Sequence, residues 1–149
     1  MSELQTLAKD PLPYGLGALL IDHIGIAVHN LEESSSSYRA LGLTAEGEDE
    51  TIISQQVKVR AFRISESLLE LLEPTSSQSP IASFLEKKGA GLHHIALRVA
   101  DISAEVSPIK RFGARFINPE PRPGRSGSQV VFLHPKWGNG VLIELVEHH

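Results

Sequence analysis

The stretch IDHIGIAV at residues 21–28 returns in altered form as LHHIALRV at residues 92–99. Its histidine, His23, has an equivalent in His94, 71 residues further along the chain. A second pair of stretches ends each copy, LLELLE at residues 68–73 and LIELVE at residues 142–147. Such a period is too long for a solenoid, whose repeats run to about 50 residues. The chain is therefore predicted to contain one small unit twice, at residues 20–74 and 91–149.

Each copy has the signals of a strand, a helix and three further strands. Alternating aliphatic residues predict the first strand of each unit, and Asn30 and Asp101 are N-caps for the helices that follow. Further strands are predicted at residues 44–48, 55–64 and 68–73, and at residues 115–117, 129–134 and 141–147. A linker helix at about residues 79–89 begins with the pair Ser79-Pro80. Residues 1–19 are predicted to be an N-terminal arm, and residues 20–149 a single α+β domain of two βαβββ modules.

Composition excludes several classes of protein. The 149 residues contain no cysteine, which excludes a disulfide framework, a cysteine-rich zinc module and a cysteine nucleophile. The net charge of -4 argues against a nucleic-acid-binding domain, because such domains are usually strongly basic. The apolar stretch nearest the start of the chain is far shorter than the roughly 20 residues that span a bilayer. We expect a cytoplasmic protein without a nucleic-acid or membrane partner.

Strand alternation gives each unit one histidine on a face of small residues. His23 shares its face with Gly25 and Ala27, and His94 shares its face with Ala96. Small neighbours leave space beside an imidazole, whereas a packed core requires larger side chains. This pattern predicts a concave ligand site beside the two histidines.

Two carboxylates accompany the two histidines. Glu70 and Glu144 occupy equivalent places within very apolar strands, where an isolated carboxylate is costly to bury unless it is paired or binds a metal. Alternatively, the two histidines could be ordinary core or surface residues, and the two glutamates could lie in edge strands and face water. Because the pattern occurs twice, it favours one divalent transition metal with His23, Glu70, His94 and Glu144 as ligands. Cobalt, zinc, nickel and manganese all fit such a set.

The same stretches resemble a known family. IDHIGIAV, LLELLEP at residues 68–74, SPIASFLEKKGAGLHHIAL at residues 79–97 and FLHPKWGNGVLIELVE at residues 132–147 resemble the vicinal oxygen chelate (glyoxalase, bleomycin resistance and dioxygenase) superfamily. Within it, they are most similar to the methylmalonyl-CoA epimerases. The resemblance implies two βαβββ modules that form a cupped mixed sheet around one metal ion. It also implies an acyl-CoA substrate and a homodimer.

The implied activity is epimerisation of methylmalonyl-CoA by α-proton abstraction through a metal-stabilised enediolate. In some epimerases the favoured base is a glutamate in the strand before the first ligand glutamate. The resemblance places Val59 at that position, and valine cannot move a proton. Glu144 is therefore the predicted catalytic group.

Cationic residues are candidates for contact with the substrate. Lys58, Arg60 and Arg63 lie in one predicted strand, either as solvated charges of an edge strand or as contacts to the phosphates of coenzyme A. Arg125 and Ser126 belong to a loop that could close over substrate.

Two other functions fit the same resemblance. A glyoxalase I-type lactoylglutathione lyase also uses two histidines and two glutamates. The superfamily further includes metal-free modules that bind small molecules. Retention of all four ligand positions argues against a metal-free module, and the epimerase-like stretches favour the acyl-CoA substrate.

Overall fold

The computed structural model describes residues 18–149, which form one eight-stranded sheet with three α-helices. The strands are β1 (Ala18–Ala27), β2 (Glu50–Ile52), β3 (Val57–Ile64), β4 (Ser67–Pro74), β5 (Gly91–Val99), β6 (Phe116–Pro123), β7 (Gln129–Leu133) and β8 (Ile143–Glu147). The helices are α1 (Leu31–Ala40), α2 (Pro80–Lys88) and α3 (Ile102–Arg111). The predicted α+β class is confirmed. The predicted arm at residues 1–19 lies outside the described residues except for Ala18 and Leu19, which belong to β1.

The two modules meet at the centre of the sheet and again at its edges. The strand order is β2-β3-β4-β1-β5-β8-β7-β6, with β1 and β5 paired antiparallel at the junction. Each of these strands also pairs in parallel with the last strand of its own module. Just beyond the edge strand β2, the side-chain amide of Gln55 donates to the carbonyl oxygen of Pro123 in the opposite edge strand, at 3.2 Å. The edges touch because the sheet curls into a cup.

The glutamates that end the two repeated stretches hold the helices of their modules. Glu73 accepts a hydrogen bond from the backbone N–H of Leu31 at 2.9 Å, and Glu147 accepts one from Ile102 at 2.9 Å. Each bond satisfies a donor in the first helical turn that has no partner within the helix. Helices α1 and α3 therefore cover the convex face. Helix α2 lies on the concave side, where Ile81 packs with Val57 and Leu72 and leaves space beside it for a ligand. None of the helices in the described part of the chain is long and apolar enough to cross a membrane.

Two predicted strands differ from the observed ones. The strand predicted at residues 44–48 is wrong, because these residues make a single β-bridge at Ala45 and Gly47 has a φ of 67°. The second strand of the module lies further along the chain, as β2. The strand predicted at residues 115–117 extends to Pro123. It tolerates prolines because it is an edge strand, where a missing N–H leaves no ladder partner unsatisfied.

Candidate metal centre

Four buried polar residues of the concave face come from the four central strands. They are the predicted ligands, namely His23 on β1, Glu70 on β4, His94 on β5 and Glu144 on β8, and each is at most 5% exposed. Strand pairing brings them together, because β4, β1, β5 and β8 are consecutive in the sheet. Each module thus contributes one histidine and one glutamate to the centre of the concave face.

Each imidazole lies beside a small residue of the neighbouring strand. His23 pairs with Ala96 across the central junction, and His94 pairs with Gly25. A Cβ atom built on Gly25 would lie 2.1 Å from Cε1 of His94. The absence of a side chain at this position is therefore what makes room for the ring, as strand alternation predicts.

The side chains of His23, His94 and Glu144 converge, with the two Nε2 atoms and the carboxylate directed at one point. The two Nε2 atoms are 3.0 Å apart, and the carboxylate of Glu144 lies 3.3 Å from Nε2 of His23 and 3.4 Å from Nε2 of His94. Their ligand atoms all lie within 4.8 Å of one another. A cavity of about 20 Å³ adjoins them, enough for one water-sized species. Two imidazole nitrogens and one carboxylate oxygen in a buried place fit a divalent transition metal.

Glu70 takes a different place from the other three residues. Its Oε2 atom lies 3.6 Å from Nδ1 of His23, on the edge of the ring that faces away from Glu144. It would have to turn towards the other edge to join the cluster. Its role as the fourth ligand remains a prediction.

Burial and charge shift the pKa values of the four residues in opposite directions. Burial opposes the charged form of His23, yet the carboxylates of Glu70 and Glu144 together raise the pKa of His23 well above its usual value. Burial lowers the pKa of His94 to about 3 and raises that of Glu70 to about 7. Burial also opposes the charge on Glu144, but the two histidines lower its pKa. These opposite shifts favour His23 over His94 as the donor of the hydrogen bond between the two Nε2 atoms, where a metal ion would bind.

Sequence reasoning missed Asp22, which lies beneath the cluster. Asp22 is 2% exposed and accepts hydrogen bonds from Nδ1 of His23 at 2.7 Å and from Nε of Arg98 at 2.8 Å. Nε2 of His148 contacts the same carboxylate at 2.8 Å. Although burial opposes its charge, hydrogen bonds from His23 and Arg98 hold the pKa of Asp22 well below its usual range. Its position directly before His23 in the repeated stretch was the available signal.

The arginines of β3 do not act as free cations. Arg60 is buried and binds Asp49 through Nε and Nη2 at 2.8 Å each, with a further Nη2 contact to Glu32 at 2.9 Å. It is neither a solvated edge charge nor placed for a phosphate contact, so both predictions for Arg60 are corrected. Arg63 is paired with the carboxylate of Glu46. The reason is that β3 lies inside the sheet, with Arg60 on the side covered by α1.

Lys58 and Val59 lie on opposite sides of β3. Alternation places Lys58 on the same side as Arg60, away from the cluster, and the lysine is exposed. Its contact with phosphate remains a prediction. Val59 is 1% exposed and lines the 20 Å³ cavity, so an apolar side chain takes the position where the resemblance places a base.

The predicted closing loop of the second module reaches the first module. The backbone N–H of Ser126 donates to both carboxylate oxygens of Glu50, at 3.0 and 3.1 Å. Nη2 of Arg125 donates to the carbonyl oxygen of Glu46 at 3.2 Å, and Arg125 lines the small cavity. The prediction missed Glu50 because it placed this strand at residues 44–48.

A larger cavity adjoins the cluster on the side of His94. Its volume is about 250 Å³. Apolar side chains form most of its wall, including Val57, Leu72 and Phe132, and Arg122 supplies a cation. A small polar group attached to a longer apolar chain would fit such a space.

Comparison with known proteins agrees with this architecture. Residues 22–132 match the glyoxalase/bleomycin resistance protein/dioxygenase superfamily. The ethylmalonyl-CoA/methylmalonyl-CoA epimerase of Cereibacter sphaeroides is 40% identical over 127 residues, covering 84% of this chain and 95% of that protein. The crystal structure of methylmalonyl-CoA epimerase from Mycobacterium tuberculosis superposes with a TM-score of 0.86 at 32% identity, covering 95% of each chain. A variant of Streptomyces coelicolor methylmalonyl-CoA epimerase, in complex with 2-nitronate-propionyl-CoA, gives a TM-score of 0.82 at 42% identity, covering 87% of this chain and 94% of that one.

Proposed function

Since the chain belongs to the glyoxalase/bleomycin resistance protein/dioxygenase superfamily, we propose that it is a metal-dependent epimerase of methylmalonyl-CoA. The observation that carries the proposal is the buried cluster of His23, His94 and Glu144 on the concave face. Relatives named as epimerases share the fold, and one of them is solved with an acyl-CoA analogue bound. We include a homodimer in the proposal, because two-fold dimers are the commonest oligomers.

The metal of this proposal is one divalent transition ion per chain. His23, His94 and Glu144 would hold it, and Glu70 would be the fourth ligand. When bound, the ion supplies positive charge that stabilises the negative charge left on substrate oxygens after the α-proton departs. The chain has no cysteine, so imidazole and carboxylate groups are the ligands on which such a site depends.

The remaining chemistry belongs to side chains around the cluster. The 250 Å³ cavity next to His94 would hold the acyl group, and its apolar wall would keep water away from the reacting carbon. Glu144, whose oxygens lie within 3.4 Å of both Nε2 atoms, is the proposed proton-transferring group. Arg122 would offer its charge to a substrate carboxylate or phosphate.

The decisive experiment compares two substrates on protein loaded with cobalt or zinc. We expect α-proton exchange and inversion of methylmalonyl-CoA, followed by proton NMR in deuterated water, and no turnover of the hemithioacetal of glutathione. Turnover of the hemithioacetal alone would identify a lactoylglutathione lyase instead. Absence of bound metal after loading would favour a binding module, and bound metal without exchange would overturn the proposal.

A further inference from the structure

Three register shifts interrupt the pairing of β1 with β5, and two of them are β-bulges directly before a histidine of the cluster. Asp22 is the unpaired residue between the pairs Ile21–Leu97 and His23–Ala96. His93 is the unpaired residue between the pairs Gly25–His94 and Ile26–Leu92. The bulged residues are separated by the same 71 positions as the two histidines that follow them. A bulge redirects a side chain, and bulges are common beside active sites.

Each bulged residue contacts the outer edge of the histidine that follows it. Oδ2 of Asp22 lies 2.7 Å from Nδ1 of His23, and Nδ1 of His93 lies 2.9 Å from Nδ1 of His94. The inner edges of both rings face each other, with 3.0 Å between the Nε2 atoms. A neutral imidazole has one N–H, so a ring that donates from Nδ1 keeps a lone pair on Nε2.

We propose that Asp22 and His93 are positioning residues. Asp22 accepts a hydrogen bond from Nδ1–H of His23, and His93 accepts one from Nδ1–H of His94. As a result, the Nε2 lone pairs of both ligand histidines point at one metal ion. This inference rests on the proposed metal site but not on the identity of the substrate. This arrangement requires His93 to carry its own proton on Nε2, because a protonated Nδ1 of His93 could not accept a hydrogen bond from His94. Outer partners of this kind fix the tautomer and the orientation of a ligand histidine in metal sites generally.

The two positioning residues are not equivalent in charge or in support. Asp22 is a carboxylate and is itself held by Arg98 and His148 at 2.8 Å. His93 is a neutral acceptor that packs edge-to-face against Phe84, with ring centroids 4.9 Å apart. A carboxylate acceptor increases the basicity of a ligand histidine more than a neutral acceptor does. Of the two ligand histidines, His23 is therefore expected to bind the metal more strongly and to be held more firmly in place.

The first test replaces Asp22 by asparagine and measures zinc affinity by calorimetry. We expect Asp22→Asn to lower the affinity about 10- to 100-fold, since the amide can donate to Nδ1 and so favour the wrong tautomer of His23. Arg98→Gln is the matched control, because it weakens the support of Asp22 but leaves the acceptor at Nδ1. Its affinity should stay close to that of the unchanged protein. Equal losses in both variants would mean that Asp22 has a purely structural role.

The second test uses His93, which is less tightly connected than Asp22. His93→Leu removes the acceptor at similar size, and His93→Gln restores one through the amide oxygen. We expect about a 10-fold loss of zinc affinity for His93→Leu and recovery for His93→Gln. Wild-type affinity in His93→Leu would overturn the role of His93.

Nitrogen NMR of the metal-free protein tests the inference independently of metal binding and activity. Long-range proton–nitrogen correlations should show His94 with a proton on Nδ1 and none on Nε2. In His93→Leu the ring of His23 can still donate to Nε2 of His94, so this preference should weaken, and it should return in His93→Gln. A proton on Nε2 of His94 in the unchanged protein would overturn the inference even if the epimerase activity were established. Failure to bind zinc, with the expected tautomer present, would count against the metal proposal alone.

Discussion

Glu70 and Glu144 occupy equivalent positions in the repeat, yet their surroundings differ. Glu144 contacts the inner edges of both histidine rings, and those rings lower its pKa. Glu70 contacts only the outer edge of His23, and burial raises its pKa to about 7. At the scale of single residues, we therefore expect the function to require negative charge at Glu144 and to depend less on it at Glu70.

The same isosteric change should consequently have unlike effects at the two positions. We expect Glu144→Gln to lose most bound metal and most α-proton exchange, by about 100-fold or more in rate. Glu70→Gln should keep both, because its amide oxygen can still bind a metal and the repulsion between the two carboxylates is removed. Metal analysis and deuterium exchange on both variants provide the measurement. Normal exchange in Glu144→Gln at unchanged metal content would rule out its catalytic role.

Metal binding should release protons. Glu70 and Glu144 raise the pKa of His23, so without metal this ring stays protonated until the pH exceeds that raised value. A metal requires the unprotonated Nε2 atom, so zinc affinity should increase with pH and fall as the ring becomes protonated. Calorimetry in buffers of different ionisation enthalpy should show between about one and two protons released per zinc ion at pH 7, one from His23 and a fraction from Glu70, whose pKa is about 7. A binding enthalpy that is the same in every buffer would contradict this assignment.

At the scale of strands, the site depends on how closely β1 and β5 approach. Gly25 lets the ring of His94 lie directly over the backbone of β1, since a Cβ atom there would lie 2.1 Å from the ring. On the helix-covered side of the same strands, Ile26 packs against an apolar cluster, and alternation places Ile24 on the same side of β1. One side of each strand therefore stabilises the fold while the other side provides space.

Adding one methyl group at Gly25 should displace His94. We expect Gly25→Ala to weaken zinc binding at least 10-fold, because the ring must leave its position against β1. Ile24→Val on the opposite side is the control, with a loss of about 0.5–1.5 kcal/mol in stability and no loss of zinc affinity. Zinc calorimetry and denaturant unfolding of both variants separate the two effects. Unchanged zinc affinity in Gly25→Ala would refute this account of the glycine.

Strand β3 is attached to α1 and the preceding loop through Arg60. Replacing Arg60 with leucine should lower the free energy of unfolding by about 2–3 kcal/mol, because the hydroxyl of Ser35 and the carboxylate of Asp49 lose the hydrogen bonds that Arg60 donates. Lys58→Leu, on the exposed part of the same side, should change it by less than about 0.5 kcal/mol. Denaturant unfolding measures both changes, and equal losses would contradict the structural role of Arg60.

The pH dependence of this contact follows from Asp49. The hydrogen bond from Arg60 lowers the pKa of Asp49 from 3.8, so the contact stabilises the fold fully above that pH. The stabilisation is lost as the pH falls through the lowered pKa. The difference between Arg60→Leu and the unchanged protein should therefore shrink in strong acid.

At the scale of the whole molecule, the site lies across the junction of the two modules. β1 and β4 belong to the first module, β5 and β8 belong to the second, and each module contributes one histidine to the cluster. The loop containing Ser126 also joins the second module to Glu50 of the first. A bound metal would therefore stabilise the modules as one unit.

Metal should raise the melting temperature in a single transition. At a zinc concentration 100 times the dissociation constant, the gain is about 2.7 kcal/mol, which corresponds to roughly 5–10 °C for a domain of this size. A chelator should reverse the increase, and Glu144→Gln should show little of it. Scanning calorimetry with and without zinc measures the effect. Two separate transitions, with only one shifted by metal, would show that the modules unfold independently.

The repeat made much of this fold predictable from sequence. Each strand and helix signal occurs twice, so the four ligand candidates could be recognised by equivalence as well as by residue type. The side of each strand followed from alternation, since successive side chains point to opposite faces. For these reasons the α+β class and the burial of His23, Glu70, His94 and Glu144 on one face were open to prediction.

Long-range strand pairing, which only the tertiary structure shows, decided which groups contact each side chain of the site. The bulges at Asp22 and His93 exist only when β1 and β5 pair, and a bulge reverses the side that alternation assigns. The burial of Arg60 depends on α1, which lies over β3 and whose Ser35 hydroxyl accepts a hydrogen bond from the guanidinium. Local sequence determined which residues this protein places on its concave face. Long-range strand pairing determined their hydrogen-bond partners and their charge, because both depend on neighbours that are remote in the chain.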